Sequence, residues 1–242
     1  MNDADDNFAD TVDPTVIIGH SGFTNALGES MASGRMHHAW LLTGPRGIGK
    51  ARMARMAAAW LLSEAPSSVG LFGDDMPVFS VSPDDPGGKL VFRGAHPDYL
   101  SITPAVDDNK SGQIKIDQIR EMVPFMAHKP AKGGWRVAVI DSMDEINRNG
   151  ANAMLKLLEE PPEKAVIFLI SSSPGQLPPT IRSRCRVVRF SALNSGMSRE
   201  VLAKIWPDAD AAHIEILAQL CGGAPGRAIS LAESGAADCY QV

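Results

Sequence analysis

The stretch Trp40-Leu41-Leu42-Thr43-Gly44-Pro45-Arg46-Gly47-Ile48-Gly49-Lys50-Ala51 decides how the rest of the chain is read. Its first residues are a short apolar run, the mark of a buried strand. Gly44 to Lys50 then has the GxxxxGK form of a phosphate-cradling loop. The glycines let backbone N–H groups turn inward toward an anion. Lys50 brings charge to the β and γ phosphates, and the helix that follows adds the positive end of its dipole. Residues 51–63 (ARMARMAAAWLLS) are strong helix formers, so strand, loop and helix come in the order the motif requires. Gly44, Pro45, Arg46, Gly47, Ile48, Gly49, Lys50 and Ala51 are therefore the expected phosphate-binding residues. The last of them is the informative one. The motif wants Ser or Thr there, because that hydroxyl ligates Mg²⁺. Ala51 offers no ligand, so metal-assisted turnover is expected to be weakened.

Outward from the loop, helices and apolar strands alternate. The pattern predicts helices over 21–35, 51–63, 113–127 and 147–160. It predicts strands over 40–43, 98–103, 136–141, 166–172 and 186–190. Continuous apolar strands between helices are the signature of a parallel sheet covered on both faces, so the expected fold class is α/β. From about residue 191 only helical segments follow, near 196–205, 208–221 and 225–234. The expected domains are 16–190 for the sheet and 191–242 for a small all-helical unit. Residues 64–97 are rich in Gly, Pro, Ser and Asp and read as a loop-rich surface insertion.

Arg136-Val-Ala-Val-Ile-Asp141-Ser142 has the form of a Walker B strand, whose Asp reaches the Mg²⁺ shell. Asp141 also fits a plain strand-end cap. A Glu after that Asp would polarise an attacking water, but Ser142 stands there, and a serine is a poor base without a partner. Asp144 and Glu145 lie nearby, two and three residues later. The losses at Ala51 and Ser142 fall on the two places where hydrolysis needs help. Further on, Arg182, Arg184, Arg186 and Arg189 put four arginines into eight residues without an acid. Such guanidinium forks suit phosphate oxygens. They could act as an arginine finger toward a neighbour's nucleotide, as a DNA-phosphate contact, or only as a solvated basic edge.

Composition narrows the classes. Of the 242 residues, 44% are hydrophobic and 21% charged, enough apolar material for a core without disulfide staples. No apolar run nears the roughly 20 residues of a membrane span, and no basic n-region with an apolar h-region opens the chain, so a secretory leader is not expected. The net charge of -5 belongs to an acidic tail: Asp3, Asp5, Asp6, Asp10 and Asp13 fall in residues 1–13 with no base, so the remainder is neutral. Neutrality gives no global attraction to nucleic acid. Cys185, Cys221 and Cys239 lack any CxxC spacing, which fits a reducing cytoplasm and predicts no zinc or other metal site.

Two longer motifs add a resemblance. Asn152-Ala-Met-Leu-Lys-Leu-Leu-Glu-Glu-Pro-Pro162 and Ser171-Ser-Ser-Pro-Gly-Gln-Leu-Pro-Pro-Thr-Ile-Arg-Ser-Arg-Cys185 closely resemble the bacterial clamp-loader family of AAA+ proteins. His37-His-Ala-Trp-Leu-Leu-Thr-Gly-Pro45 and His96-Pro-Asp-Tyr-Leu100 are similar to its delta-prime branch. The resemblance runs from about residue 16 to 234. It implies an AAA+ P-loop sheet followed by a helical lid. It implies a ring of clamp-loader subunits (gamma/tau and delta, in a hetero-pentamer) that opens the sliding clamp of DNA polymerase III on primer-template DNA. It places the trans-acting arginine finger at Arg184, sensor 1 at Ser172 and sensor 2 at Arg227. It leaves ATP or ADP binding without turnover open at the intact loop. It further implies that a C-terminal helical collar is missing here, and that a zinc module found in many members at 64–97 is lacking. A self-sufficient gamma/tau-like motor ATPase and a direct DNA-binding module are the rival functions.

Overall fold

The computed structural model of the chain describes residues 17–64, 79–107, 110–131 and 133–233. The acidic tail, residues 65–78 of the expected insertion, Cys239 and the last residues of the expected helical domain lie outside the described residues. Strands β1 (Ala39–Thr43), β2 (Tyr99–Ile102), β5 (Arg136–Ile140), β6 (Ala165–Ser171) and β7 (Arg186–Arg189) form one sheet in the order β2-β5-β6-β1-β7. Every neighbouring pair is parallel. Strands β1, β5 and β6 are buried along their whole length, which is why they read as unbroken apolar runs.

Because side chains alternate along a strand, the same strands feed two cores. Trp40, Leu42, Val137, Val139, Val166, Phe168 and Ile170 point to one face, packed with Phe23 and Leu27 of α1 (Ser21–Ala32) and Met53, Ala57 and Trp60 of α2 (Lys50–Leu61). Leu41, Ala138, Ile140, Ile167 and Leu169 point to the other. They meet Ile119 and Met122 of α4 (Ile116–Ala127) and Met154 and Leu158 of α5 (Arg148–Glu159). The expected two-sided α/β architecture is what the chain adopts. Helix α5 starts at Asn147, whose side chain accepts from the Gly150 N–H at 2.8 Å, and ends before Pro161-Pro162. No helix among the described residues is long and apolar enough to cross a membrane.

Three elements differ from the sequence reading. Part of the expected loop-rich insertion is helical: α3 (Pro86–Phe92) is capped by Asp85, whose carboxylate accepts from the Gly88 N–H at 2.6 Å. Asp85-Pro86 is a helix start hidden in a turn-rich composition. A Cβ on Gly87 would run into the Leu62 carbonyl oxygen, so the glycine lets α3 press on the end of α2. A small antiparallel pair, β3 (Ala105–Asp107) and β4 (Lys110–Gln113), precedes the helix expected over 113–127, which starts only at Ile116. A single turn, α6 (Pro179–Arg182), precedes β7. Helices α7 (Ser195–Ile205), α8 (Ala211–Leu220) and α9 (Pro225–Glu233) follow, with a core of their own around Leu202, Leu217 and Ala228.

One buried ion pair ties β5 to the segment before β2. Arg136 Nη2 meets Asp98 Oδ1 at 2.8 Å with both side chains largely out of solvent, and Arg136 also donates to the Phe125 and Lys129 carbonyls. Its guanidinium lies 4.6 Å from the Phe125 ring centre. Removing one partner strands a buried charge. Asp98→Ala is therefore expected to lower unfolding free energy by about 3–5 kcal/mol, read from urea melts. Replacing both residues by apolar ones of similar volume should recover much of that loss.

Candidate functional site

Parallel register brings the site together. Thr43 pairs with Ser171 and with Arg189, and Ile140 pairs with Leu169. The loop after β1, the residues after β5 and the turn after β6 therefore leave the sheet on one edge. Open sheets of this kind bind ligands there.

Within the loop, Gly47 and Gly49 have φ values of 77° and 96°, the left-handed region glycine tolerates. Lys50 opens α2 and is buried, yet its ammonium is well supplied. It donates to the Gly44 and Pro45 carbonyls at 2.8 and 2.7 Å and to Ser172 Oγ at 3.2 Å. Burial pushes its pKa down, and the charges of Asp141 and Asp144 oppose the shift. His20, which the sequence reading missed, donates from Nε2 to the Ile48 carbonyl at 2.8 Å and packs on Phe190. Burial lowers its pKa as well, which suits a neutral ring in that role.

Asp144, which the sequence places near the Walker B strand without a role, is a hub of hydrogen bonds. Burial alone would raise its carboxyl, but donors overturn that and hold it below the ordinary Asp value. Ser171 Oγ donates to it at 2.5 Å, the Ser172 N–H at 2.6 Å, the Ser173 N–H at 3.2 Å and Ser142 Oγ at 3.2 Å. Asp144 thus fixes the turn that carries Ser172, and Ser172 in turn meets Lys50. The hydroxyl of Ser142 is spent on Asp144, and Glu145 is engaged by Arg46 at 2.9 Å.

Arg227 reaches the loop by its backbone. The Gly226 N–H, at the start of α9, donates to the Gly47 carbonyl at 2.8 Å. A Cβ on Gly226 would lie 2.8 Å from Gly47 Cα, so the two backbones touch with no side chain between them. The Arg227 side chain itself is exposed.

The arginine cluster is divided by the fold. Arg186 is structural: it donates to Ser30 Oγ at 2.6 Å and stacks 4.6 Å from the Trp40 ring centre, its cross-strand neighbour. Arg184 sits in the turn before β7, and therefore on the sheet edge opposite the phosphate loop. The length of β1, roughly 13 Å at ~3.3 Å per residue, lies between them. Arg182 and Arg189 are exposed. The loop, Lys50, Asp141 and Ser172 thus lie together on one sheet edge, and Arg184 does not join them.

The donor set fits phosphates better than a metal-bound triphosphate. The glycine turns, the ammonium and the two helix starts, α2 and α9, all favour an anion. Ala51 supplies no metal-binding oxygen, which leaves Asp141 as the carboxylate of the motif.

The family model described as DNA polymerase III, delta subunit, matches residues 19–194. This chain belongs to that family. Within it, the chain is 37% identical over 188 residues to DNA polymerase III subunit delta-prime of Pseudomonas aeruginosa, covering 78% of this chain and 53% of that protein. It is 30% identical over 221 residues to subunit tau of Escherichia coli, covering 90% of this chain and 32% of that protein. The chain therefore spans about half the length, or less, of these family relatives. Among solved structures, the Thermotoga maritima RuvB Holliday junction branch migration motor superposes with a TM-score of 0.54. It is 17% identical, and the match covers 89% of this chain and 61% of that one. At that identity the likeness shows the fold alone: a parallel sheet with helices on both faces, followed by a helical C-terminal region.

Asp144 yields a pH prediction for this family member. Its carboxyl titrates lower in the folded chain than in the unfolded one. Its stabilisation is therefore complete above the ordinary Asp range, near 4, and is lost as pH falls through the lower folded value. Asp144→Asn should cost about 2 kcal/mol at neutral pH, because amide hydrogens would face the serine donors. Chemical denaturation at several pH values should show a flatter acid dependence for the variant than for the parent chain.

Proposed function

We propose that this chain acts as a delta-prime-like subunit of the bacterial DNA polymerase III clamp loader. In this reading it binds nucleotide phosphates weakly or holds them without turnover. It presents Arg184 to the ATP site of an adjacent motor subunit. Its partners are gamma/tau-type and delta-type subunits in a hetero-pentamer that loads the sliding clamp onto primer-template DNA.

The observation that carries the reading is the separation of Arg184 from the chain's own loop. A guanidinium on the far edge of the sheet cannot reach phosphates held after β1 of the same chain, whereas a neighbour's phosphates can be brought to it. The engagement of Ser142, Asp144 and Glu145 supports loss of turnover at the chain's own loop, as does Ala51. Similarity to a delta-prime subunit supports the choice of branch.

One rival keeps a specific support. The match to tau, together with the intact Gly44–Lys50 loop, favours a self-sufficient motor ATPase. The two readings separate in a reconstituted loader containing motor subunits, clamp and primer-template DNA. Arg184→Ala should lower clamp-stimulated ATP hydrolysis at the neighbouring site by at least tenfold, since an arginine finger can contribute about 10³–10⁵ in rate. An unchanged rate rejects the proposal. The isolated chain should show no ATP turnover above background. Turnover that disappears in Lys50→Ala would establish the motor reading instead.

A further inference from the structure

Of the four clustered arginines, Arg184 is held in a way the others are not. Its Nη2 meets Glu159 Oε1 at 2.8 Å, and its Nη1 donates to the Thr180 carbonyl at 2.9 Å. About a third of the side chain remains open to solvent. Arg186 is consumed by Ser30 and Trp40. Arg182 and Arg189 are exposed, and no ion pair joins either to another described residue. A group that must meet an anion on another molecule needs both a fixed direction and an open face. Arg184 combines the two.

Glu159 is the last residue of α5, where the helix dipole is negative. A carboxylate there is electrostatically misplaced unless a cation joins it, and Arg184 is that cation. The pair is fixed from two sides: α5 is anchored in the sheet core through Met154, Leu157 and Leu158, and Ile181 of α6 is buried in the same core. An unrestrained arginine side chain loses rotamer freedom when it docks against a partner. A brace that holds the fork in one direction removes part of that cost before a partner docks.

We propose that Glu159 is a positioning residue for Arg184: it orients the guanidinium for contact with an anion on an adjacent subunit. This inference rests on the trans-acting reading of Arg184. Glu159 touches no reacting atom and acts only through the arginine.

The test uses the reconstituted loader with clamp and primer-template DNA, and reads the neighbour's steady-state ATP hydrolysis as kcat and KM. Glu159→Ala should lower kcat about two- to fivefold, the range an exposed ion pair is worth, with KM for ATP changed by less than a factor of two. Glu159→Gln, which keeps a hydrogen-bond acceptor, should recover part of the loss. It also serves as the second variant should the alanine chain fold poorly. In an Arg184→Ala background, Glu159→Ala should have no further effect. If Arg184→Ala lowers the rate while both Glu159 variants leave it unchanged, or raise it, the brace is refuted and the trans-acting reading stands. An equal fall in both backgrounds makes Glu159 a structural residue and also refutes the brace. If Arg184→Ala itself changes nothing, the parent reading fails, and this inference with it.

Discussion

Strand β1 is hydrogen-bonded to a parallel neighbour on each side and covered by a core on each face. Nothing in it can slide. A shift of one residue would turn Trp40 and Leu42 toward the wrong core. That constraint fixes the height at which Gly44 leaves the sheet. The same register fixes where Ser171 and Arg189 end, and so which residues can surround Lys50. The chemistry of the loop edge is thus a product of buried apolar packing several residues away.

On that edge the polar groups form a chain of contacts instead of a set of free ligands. Asp144 holds the serine turn, the turn offers Ser172 to Lys50, and Lys50 closes back on the loop carbonyls. A buried ammonium left without such partners would be costly. The loop therefore keeps its shape for reasons of satisfaction within the chain, independent of any turnover.

The sheet was legible in the sequence because its three central strands are apolar without interruption, and the loop because its glycines and lysine have fixed spacing. The contacts that went unread share a different property. Asp144 matters because β6 ends beside it, and Arg186 because Trp40 faces it across strands. Neither relation exists before pairing is known. The hairpin of β3 and β4 is short and lies in a polar stretch, so no period-2 apolar pattern announced it. Helix α3 was obscured by glycines that serve close packing, a role composition cannot distinguish from that of a turn.

Placing the phosphate loop and Arg184 on opposite margins of one sheet gives the molecule a head and a tail. If, as proposed, the Arg184 margin of one module meets the loop margin of the next, that contact is heterologous, and such modules would stack with a common polarity and close only if their rotation allows. A member lacking its own cleavage groups can still complete the junction on one side while leaving the other inert. An assembly containing it would have unequal seams, and so a built-in sense of direction that identical subunits could not supply.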